Sequence, residues 1–184
     1  MSRAWPRTSR RTVHEARVFD LVAEKHVSPR TRETLEALVL ESSDWCNVIA
    51  VTEADELVMV RQFRFGSQQV ELEIPGGIVD AGEEPLASVQ RELLEETGYR
   101  STRWTSLGSV APNPAIHRNR LHTFLAEGCV HVAEQEFDPF EDIATELLPR
   151  AQADALIANG TISHALVVVA FLKWSLHRAG HSIT

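Results

Sequence analysis

Residues 77–99 read GIVDAGEEPLASVQRELLEETGY, and the fold is organised around this stretch. A glycine-rich turn precedes Pro85, which suits the first turn of a helix because its missing N–H is not needed there. Gly98 suits the C-terminal cap. The sequence therefore predicts a helix from Pro85 to Thr97. Its predicted core stripe consists of apolar residues at helical spacing, namely Leu86, Val89, Leu93 and Leu94.

Three carboxylates of this helix share one narrow stripe. On a helical wheel Glu96 and Glu95 lie on either side of Glu92, about 40° and about 60° away. Like charges at this spacing destabilise a helix, and two carboxylates about 4 Å apart repel by roughly 4 kcal/mol at an effective dielectric of about 20. A cation would offset the repulsion, and grouped oxygen ligands select Mg²⁺, Mn²⁺ or Ca²⁺ over zinc. For an isolated ELLEE segment the alternative is a solvated acidic face.

The stretch and its flanks resemble the Nudix box. The family spacing G-x5-E-x7-R-E-U-x-E-E-x-G-U, where U is apolar, is filled here by Gly77, Glu83, Arg91, Glu92, Leu93, Glu95, Glu96, Gly98 and Tyr99. The aromatic residue in the last position is a mild departure. The resemblance is strongest over residues 57–100. It implies a hydrolase that cleaves a nucleoside diphosphate linked to another group, using Mg²⁺ or Mn²⁺ and an activated water.

The resemblance also implies which residues hold the cation and which assist. The implied metal ligands are Glu92, Glu96 and the backbone carbonyl of Gly76. The implied catalytic positions are charged residues around these ligands: Glu83, Arg91, Glu95 and Glu141. Within that set Arg91 and Glu83 are expected to pair and to hold the loop to the helix.

Residues 60–77, VRQFRFGSQQVELEIPGG, resemble the segment before the box in ADP-ribose pyrophosphatases and related nucleotide-sugar hydrolases. In that branch an arginine at the position of Arg64 binds the diphosphate, which suits the planar fork of a guanidinium. Arg61 is a second candidate for substrate binding. Glu73 is either a further acid near the metal or a strand residue that faces solvent.

The acidic loop 133–142 is where members of that branch place a carboxylate, as general base or extra metal ligand. Glu141 matches the position best, and Asp138 and Asp142 are alternatives. A general base on a mobile loop can close over the substrate and exclude water. The other reading is an ordinary solvated acidic loop.

Residues 112–119, PNPAIHRN, replace the glycine-rich turn expected of a strict ADP-ribose enzyme. We therefore expect a nucleotide-sugar or broader dinucleotide specificity, with Asn113, His117 and Asn119 available to hydrogen-bond sugar hydroxyls. The sequence around His164 indicates no role beyond structure.

Strands and helices mix without a strict βαβ rhythm, so the sequence predicts a mixed α/β or α+β fold. The run WCNVIAVT within 44–52 is nearly continuous and apolar, as for a strand buried on both faces, and a turn at 53–56 joins it to a strand over 57–65. The resemblance specifies a Nudix α/β/α sandwich with an N-terminal antiparallel β module. We expect residues 1–43 to form an arm and module used in dimerisation, and 44–184 the Nudix domain.

Elements at the two ends of the chain are predicted from local patterns. Residues 1–12 are basic and polar, which indicates a mobile arm, and a strand is predicted from Val13 to Ala23. Near the other terminus a helix is predicted over 149–159, and Ser163 is predicted to cap a last helix. In the branch that the chain resembles, the N-terminal module commonly crosses to a partner subunit, so we expect a homodimer.

Composition excludes some classes of function. The net charge of −8 argues against general nucleic-acid binding. Cys46 and Cys129 lie in apolar runs, which predicts buried free thiols and fits a reducing cytoplasm. No apolar region follows Arg10-Arg11, as an export signal would require, and the longest apolar run, 165–172, is too short to span a bilayer.

Two other functions remain compatible with the motif. One is a Nudix hydrolase of another dinucleotide, such as NADH. The other is a non-catalytic sensor of a nucleotide metabolite on a Nudix fold. The intact glutamates disfavour the sensor, because binding alone does not require a correctly placed metal cluster.

Overall fold

The computed structural model describes residues 3–137 and 140–183 of the chain. It divides into two compact units, one formed by the residues up to Asp44 together with Ala111–Arg120, the other by Trp45–Val110 and the residues from Leu121 onward. The elements of these described residues are β1 (Arg7–Glu15), β2 (Asp20–Val27), β3 (Thr34–Glu41), β4 (Trp45–Thr52), β5 (Glu56–Arg64), β6 (Gln69–Glu73), β7 (Gly76–Ile78), α1 (Pro85–Thr97), β8 (Tyr99–Arg100), β9 (Arg103–Val110), β10 (Leu121–His131), β11 (Ile143–Pro149), α2 (Ala153–Ala158) and α3 (Ala165–Arg178).

The larger unit is a mixed sheet between helices. The strand order is β11-β5-β4-β10-β8, with β6 on β5, β7 on β4 and β9 on β10. β10 runs parallel to β4, and the other pairs in this sheet are antiparallel. The predicted mixed fold, with its α/β/α layers and a separate antiparallel β module, is confirmed.

The central strand β4 is buried on both faces, as its apolar sequence predicts. Val48 belongs to a cluster that contains Leu93 of α1. Its neighbour Ile49 belongs to a second cluster that contains Phe171 of α3. Successive side chains of a strand point to opposite faces, so β4 fixes one helix on each side of the sheet. Cys46 on this strand is a buried free thiol, as is Cys129.

Helix α1 has the predicted bounds, and Gly98 ends it with φ 72° and its N–H on the carbonyl of Leu94 (2.8 Å). Val89 and Leu93 are fully buried. The prediction for Leu86 is wrong, since this residue is 40 % exposed. The buried face is instead turned towards Ser88, whose hydroxyl donates to the carbonyl of Ile78 (3.1 Å).

The smaller unit contains a three-stranded antiparallel sheet in the order β1-β2-β3. The predicted mobile arm over 1–12 is wrong because β1 begins at Arg7. The single strand predicted over 13–23 is instead the end of β1, a connection at 16–19 and the start of β2. β1 is exposed along its whole length. It is held by backbone pairing to β2 and by ion pairs, of which Arg11 to Glu36 (3.2 Å) is one. No apolar pattern marks such a strand.

Two details near the C-terminus also differ from expectation. His164, not Ser163, occupies the N-cap of α3, and the Ser163 hydroxyl donates to Glu71 Oε2 (3.1 Å). The helix predicted over 149–159 is a 3-10 turn, Arg150–Gln152, followed by the short α2. No helix of the described part of the chain is both long and apolar enough to cross a membrane.

Glu24 of β2 is a buried acid at the centre of an ion-pair cluster in the smaller unit. Its side chain is 1 % exposed, and its oxygens contact Arg7 (2.6 Å) and Arg118 (2.8 Å). The ring of His26 lies 3.2 Å from it. The hydrogen bond from Arg118, helped by those from Arg7 and His26, outweighs burial and lowers the pKa of Glu24 to about 2. The segment 111–120 is thereby anchored to β2.

This cluster predicts an acid-sensitive contribution to stability. A carboxyl whose pKa is lower in the folded state stabilises the fold fully above its ordinary pKa and loses that contribution as pH falls through the folded value. We expect the melting temperature of the wild type to fall more between pH 4.5 and about 2 than that of Glu24→Gln, which has already lost the contribution at neutral pH. Glu36→Gln, at an exposed pair, is the control and should track the wild type. Parallel curves for wild type and Glu24→Gln would contradict the prediction.

Candidate active site

The carboxylate of Glu92 lies directly against Gly77. A Cβ added to Gly77 would stand 2.4 Å from both Cδ and Oε1 of Glu92. Glycine at this position therefore makes room for the carboxylate, a close approach that no other residue allows. Glu92 Oε1 also accepts a hydrogen bond from Arg91 Nη1 (3.0 Å).

Glu96 lies one turn further along α1 and is 5 % exposed. Its Oε2 accepts the backbone N–H of Gly76 (3.0 Å). A side chain at Gly76 would stand 2.3 Å from the carbonyl oxygen of Cys46 on β4. Gly76 and Gly77, the first two residues of β7, thus let this strand approach both glutamates closely.

These carboxylates lie in a field of like charge. Burial raises the pKa of Glu92 to about 7; Arg91 opposes this effect, while the charges of Glu95 and Glu141 add to it. Burial also raises the pKa of Glu96 to about 8, and there Glu92 and Glu141 add to it. Glu141 is therefore within electrostatic reach of both Glu92 and Glu96, although it is far away in sequence.

Arg91 connects the loop before the helix with the glutamates of the helix. Its Nη2 contacts Glu83 Oε2 (3.2 Å), and its Nη1 contacts Glu95 Oε2 (3.0 Å) as well as Glu92. Nη2 also reaches Ser88 Oγ (3.3 Å). One guanidinium thus sets the loop and two of the three clustered carboxylates in a fixed arrangement.

Arg64 and Glu73 form a bidentate pair between β5 and β6, Nε to Oε1 at 2.7 Å and Nη2 to Oε2 at 2.8 Å. The reading of Glu73 as a solvent-facing strand residue is wrong, because its side chain is 3 % exposed. The hydrogen bonds to Glu73 raise the pKa of Arg64, and the charge of Glu96 adds to this effect, so the guanidinium is within electrostatic reach of Glu96. Arg64 is therefore held by Glu73 and lies within electrostatic range of one member of the carboxylate cluster.

The other residues predicted to bind substrate have different surroundings. Arg61 Nε donates to Glu146 Oε2 on β11 (2.6 Å). Asn113, His117 and Asn119 belong to the smaller unit. There Asn119 is buried, and its amide donates to a backbone carbonyl (3.3 Å).

Sequence reasoning missed two residues near the cluster. His164 has its Nδ1 only 2.9 Å from Glu73 Oε2. Gln135 in the acidic loop donates through Nε2 to the carbonyl of Glu96 at the end of α1 and to Thr145 Oγ1 (3.1 Å). The next residue, Glu136, places its N–H on the carbonyl of Glu95 (2.9 Å). No local pattern in the sequence reports such contacts. Asp138, an alternative to Glu141, lies outside the described residues.

The donors present fit a hard cation. Within residues 3–137 and 140–183 no group of three or more His, Cys, Asp or Glu side chains is assembled in a way that could hold a metal ion. Glu92 and Glu96 nevertheless offer two carboxylates, of which Glu96 is buried and Glu92 is partly buried, and the charged form of each is disfavoured by burial and by neighbouring acids. Oxygen donors of this kind suit Mg²⁺ or Mn²⁺, which keep waters or substrate oxygens as further ligands.

Comparisons with known proteins point to one family. The model of the NUDIX domain matches residues 46–170. The ADP-ribose pyrophosphatase of Bacillus subtilis is 32 % identical over 144 residues, which are 78 % of this chain and 77 % of that protein. A hydrolase of CMP-5'-(N-acetyl-N-hydroxy-3-aminopropyl)phosphonate from Streptomyces rubellomurinus is 28 % identical over 90 % of this chain and 82 % of its own. A crystal structure of an ADP compounds hydrolase superposes with a TM-score of 0.85 at 18 % identity, covering 98 % of this chain and 97 % of that one, and this likeness concerns the fold.

Proposed function

The chain belongs to the Nudix family of hydrolases, and from that membership we propose that it cleaves the diphosphate of ADP-ribose or a nucleoside-diphosphate sugar. The products would be a nucleoside monophosphate and a phosphosugar. The proposed cofactor is Mg²⁺, with Mn²⁺ able to substitute. The observation that carries the proposal is the pair of carboxylates, buried Glu96 and partly buried Glu92, held against Gly76 and Gly77 on a rigid helix.

The proposed roles follow from the contacts of each residue. Glu92 and Glu96 would hold the cation, together with the backbone of Gly76. Bound there, the cation would neutralise diphosphate charge and lower the pKa of a water. Arg91 and Glu83 would keep the loop and helix in register, and Glu95 would support the ligands through its bond to Arg91.

Two further residues would act on the substrate. Arg64 uses Nε and Nη2 on Glu73, while its Nη1 has no hydrogen-bond partner among the described residues and would bind a phosphate oxygen. Glu141 would be the general base or an additional ligand, since its charge is felt by both helix glutamates. Arg61, Glu73 and the polar residues of the 112–119 loop are proposed to contribute to substrate binding, directly or by support.

The nature of the nucleotide is the open part of this proposal. One relative is named for ADP-ribose and another for a CMP-linked phosphonate, and the 112–119 loop lacks the glycine-rich turn of a strict ADP-ribose enzyme. Both points favour testing purine and pyrimidine compounds side by side. We also propose a cytoplasmic homodimer, to be measured by light scattering on the purified chain and by cell fractionation.

A substrate panel tests the function directly. The purified protein is incubated with Mg²⁺ and ADP-ribose, ADP-sugars, UDP- and CDP-sugars, NADH and a nucleoside triphosphate, and release of the monophosphate is followed by chromatography. We expect turnover of ADP-ribose or a nucleotide sugar and little turnover of the triphosphate. Cleavage of NADH alone would move the assignment to a dinucleotide. Hydrolysis of no compound would contradict the proposed activity.

A further inference from the structure

His164, which is distant in sequence from Arg64 and Glu73, contacts the ion pair that these two residues form. Its Nδ1 lies 2.9 Å from Glu73 Oε2, the same oxygen that accepts Arg64 Nη2 at 2.8 Å. This nitrogen is shielded from solvent and makes no aligned hydrogen bond among the described residues, so its 2.9 Å approach to Glu73 is a close polar contact. Glu73 is thus the acid that three polar contacts share, two from Arg64 and one from His164.

The backbone of His164 is fixed by secondary structure. It is the N-cap residue of α3, and its carbonyl accepts the N–H groups of Val167 (3.0 Å) and Val168 (3.1 Å). A side chain that projects from such a position is held by a rigid element, which gives precise placement of its partners. The neighbouring Ser163 is exposed, and its hydroxyl donates to Glu71 Oε2 at the surface (3.1 Å).

The electrostatics agree with a carboxylate held ionised by two basic partners. Burial raises the pKa of Glu73, but the contacts from Arg64 and His164 outweigh it and bring the value to about 2. A buried carboxylate with two basic partners has fewer orientations open to it than one with a single partner. The orientation of Glu73 in turn sets the plane of the guanidinium that it binds in bidentate fashion.

We propose that His164 is a positioning residue for Arg64, acting through Glu73. Without the imidazole, Oε2 of Glu73 is left to Arg64 alone, and the paired groups can rotate together away from the cluster. The free Nη1 of Arg64 would then no longer be presented in one direction. This inference rests on the proposed role of Arg64 in binding the diphosphate.

The test compares His164→Leu with His164→Asn, in which the side-chain amide nitrogen takes about the place of Nδ1. We expect His164→Leu to raise KM for the hydrolysed compound about fivefold or more with a smaller change in kcat, and His164→Asn to restore most of the loss. Ser163→Ala, which removes the exposed contact at the same junction, is the matched control and should leave both constants unchanged. Melting temperatures of all variants separate positioning from loss of fold.

A second comparison asks whether His164 acts through the arginine. In an Arg64→Ala background, His164→Leu should have no further effect on KM, because the group that it positions is gone. Unchanged KM in His164→Leu, or equal effects with and without Arg64, would overturn the inference. Calorimetric binding of ADP with Mg²⁺ gives the same comparison without turnover, so failure of the proposed activity stays distinguishable. A wild type that does not bind ADP would overturn the inference as well.

Discussion

Replacing Glu96 by glutamine is expected to lower kcat by about a thousandfold or more, because the main source of transition-state stabilisation at such a site is the charge that the carboxylates hold in place. Glutamine keeps the shape of the side chain and an oxygen that can accept the N–H of Gly76 (3.0 Å). The fold should therefore survive. Steady-state kinetics on the best compound of the panel, with melting temperatures, measure both effects.

Glu84→Gln provides the matched control for this substitution. Glu84 is exposed, lies at the N-cap of the same helix and makes no side-chain cap bond. The substitution Glu84→Gln removes one negative charge from the start of the same helix and leaves the carboxylate cluster unchanged. The kcat of this variant should stay within about twofold of the wild type. If Glu96→Gln retained the activity of the control, its assignment as a metal ligand would fail.

A single methyl group at Gly77 is expected to reduce kcat by about a hundredfold or more while the protein still folds. The added Cβ would stand 2.4 Å from the carboxyl of Glu92. The atom in its way is the end of a flexible side chain, so the carboxylate can move aside and lose its place as a ligand. Gly76 would not serve for this test, because a Cβ there meets the backbone carbonyl of Cys46 at 2.3 Å and the chain itself would have to shift.

Gly66→Ala is the control for Gly77→Ala. A Cβ at Gly66 meets no atom within 4 Å, so the same chemical change is made where it displaces nothing. Both variants should be folded by circular dichroism, and only Gly77→Ala should lose activity. A Gly77→Ala enzyme with normal kcat would show that the position of the Glu92 carboxylate does not matter for catalysis.

The elements predicted correctly are those whose bounds or burial are determined by residues within or next to the element itself. Helix α1 begins and ends where Pro85 and Gly98 indicate, and β4 is buried on both faces because its sequence is apolar throughout. β1 escaped prediction because its residues are basic and fully exposed, and it is held by strands and acids further along the chain. A strand stabilised in that way leaves no periodic trace in its own sequence.

In the candidate site, too, contacts between residues close in sequence were predicted and contacts between distant residues were not. Within the box, Arg91 and Glu83 form the pair that the family resemblance implies. The contact between His164 and Glu73 joins α3 to β6, and the contact between Gln135 and Glu96 joins a loop to the end of α1. Such pairs are brought together by the tertiary arrangement of elements that are far apart in the chain, and a single sequence does not show which distant elements are neighbours.

The attachment of the acidic loop to the last turn of α1 has a consequence for the entropy of substrate binding. The carbonyls of Glu95, Glu96 and Gly98, which a helix end leaves unpaired, are taken by donors of the loop up to Glu136. Gln135 also reaches the carbonyl of Ile143 (3.4 Å), where β11 begins. Residues 132–136 and the start of β11 are thus both tied to the end of α1 before any ligand binds, since Thr145 Oγ1 also donates to the carbonyl of Glu96 (3.4 Å). The ordering of these two segments is therefore complete when the chain has folded, and ligand binding does not have to supply it.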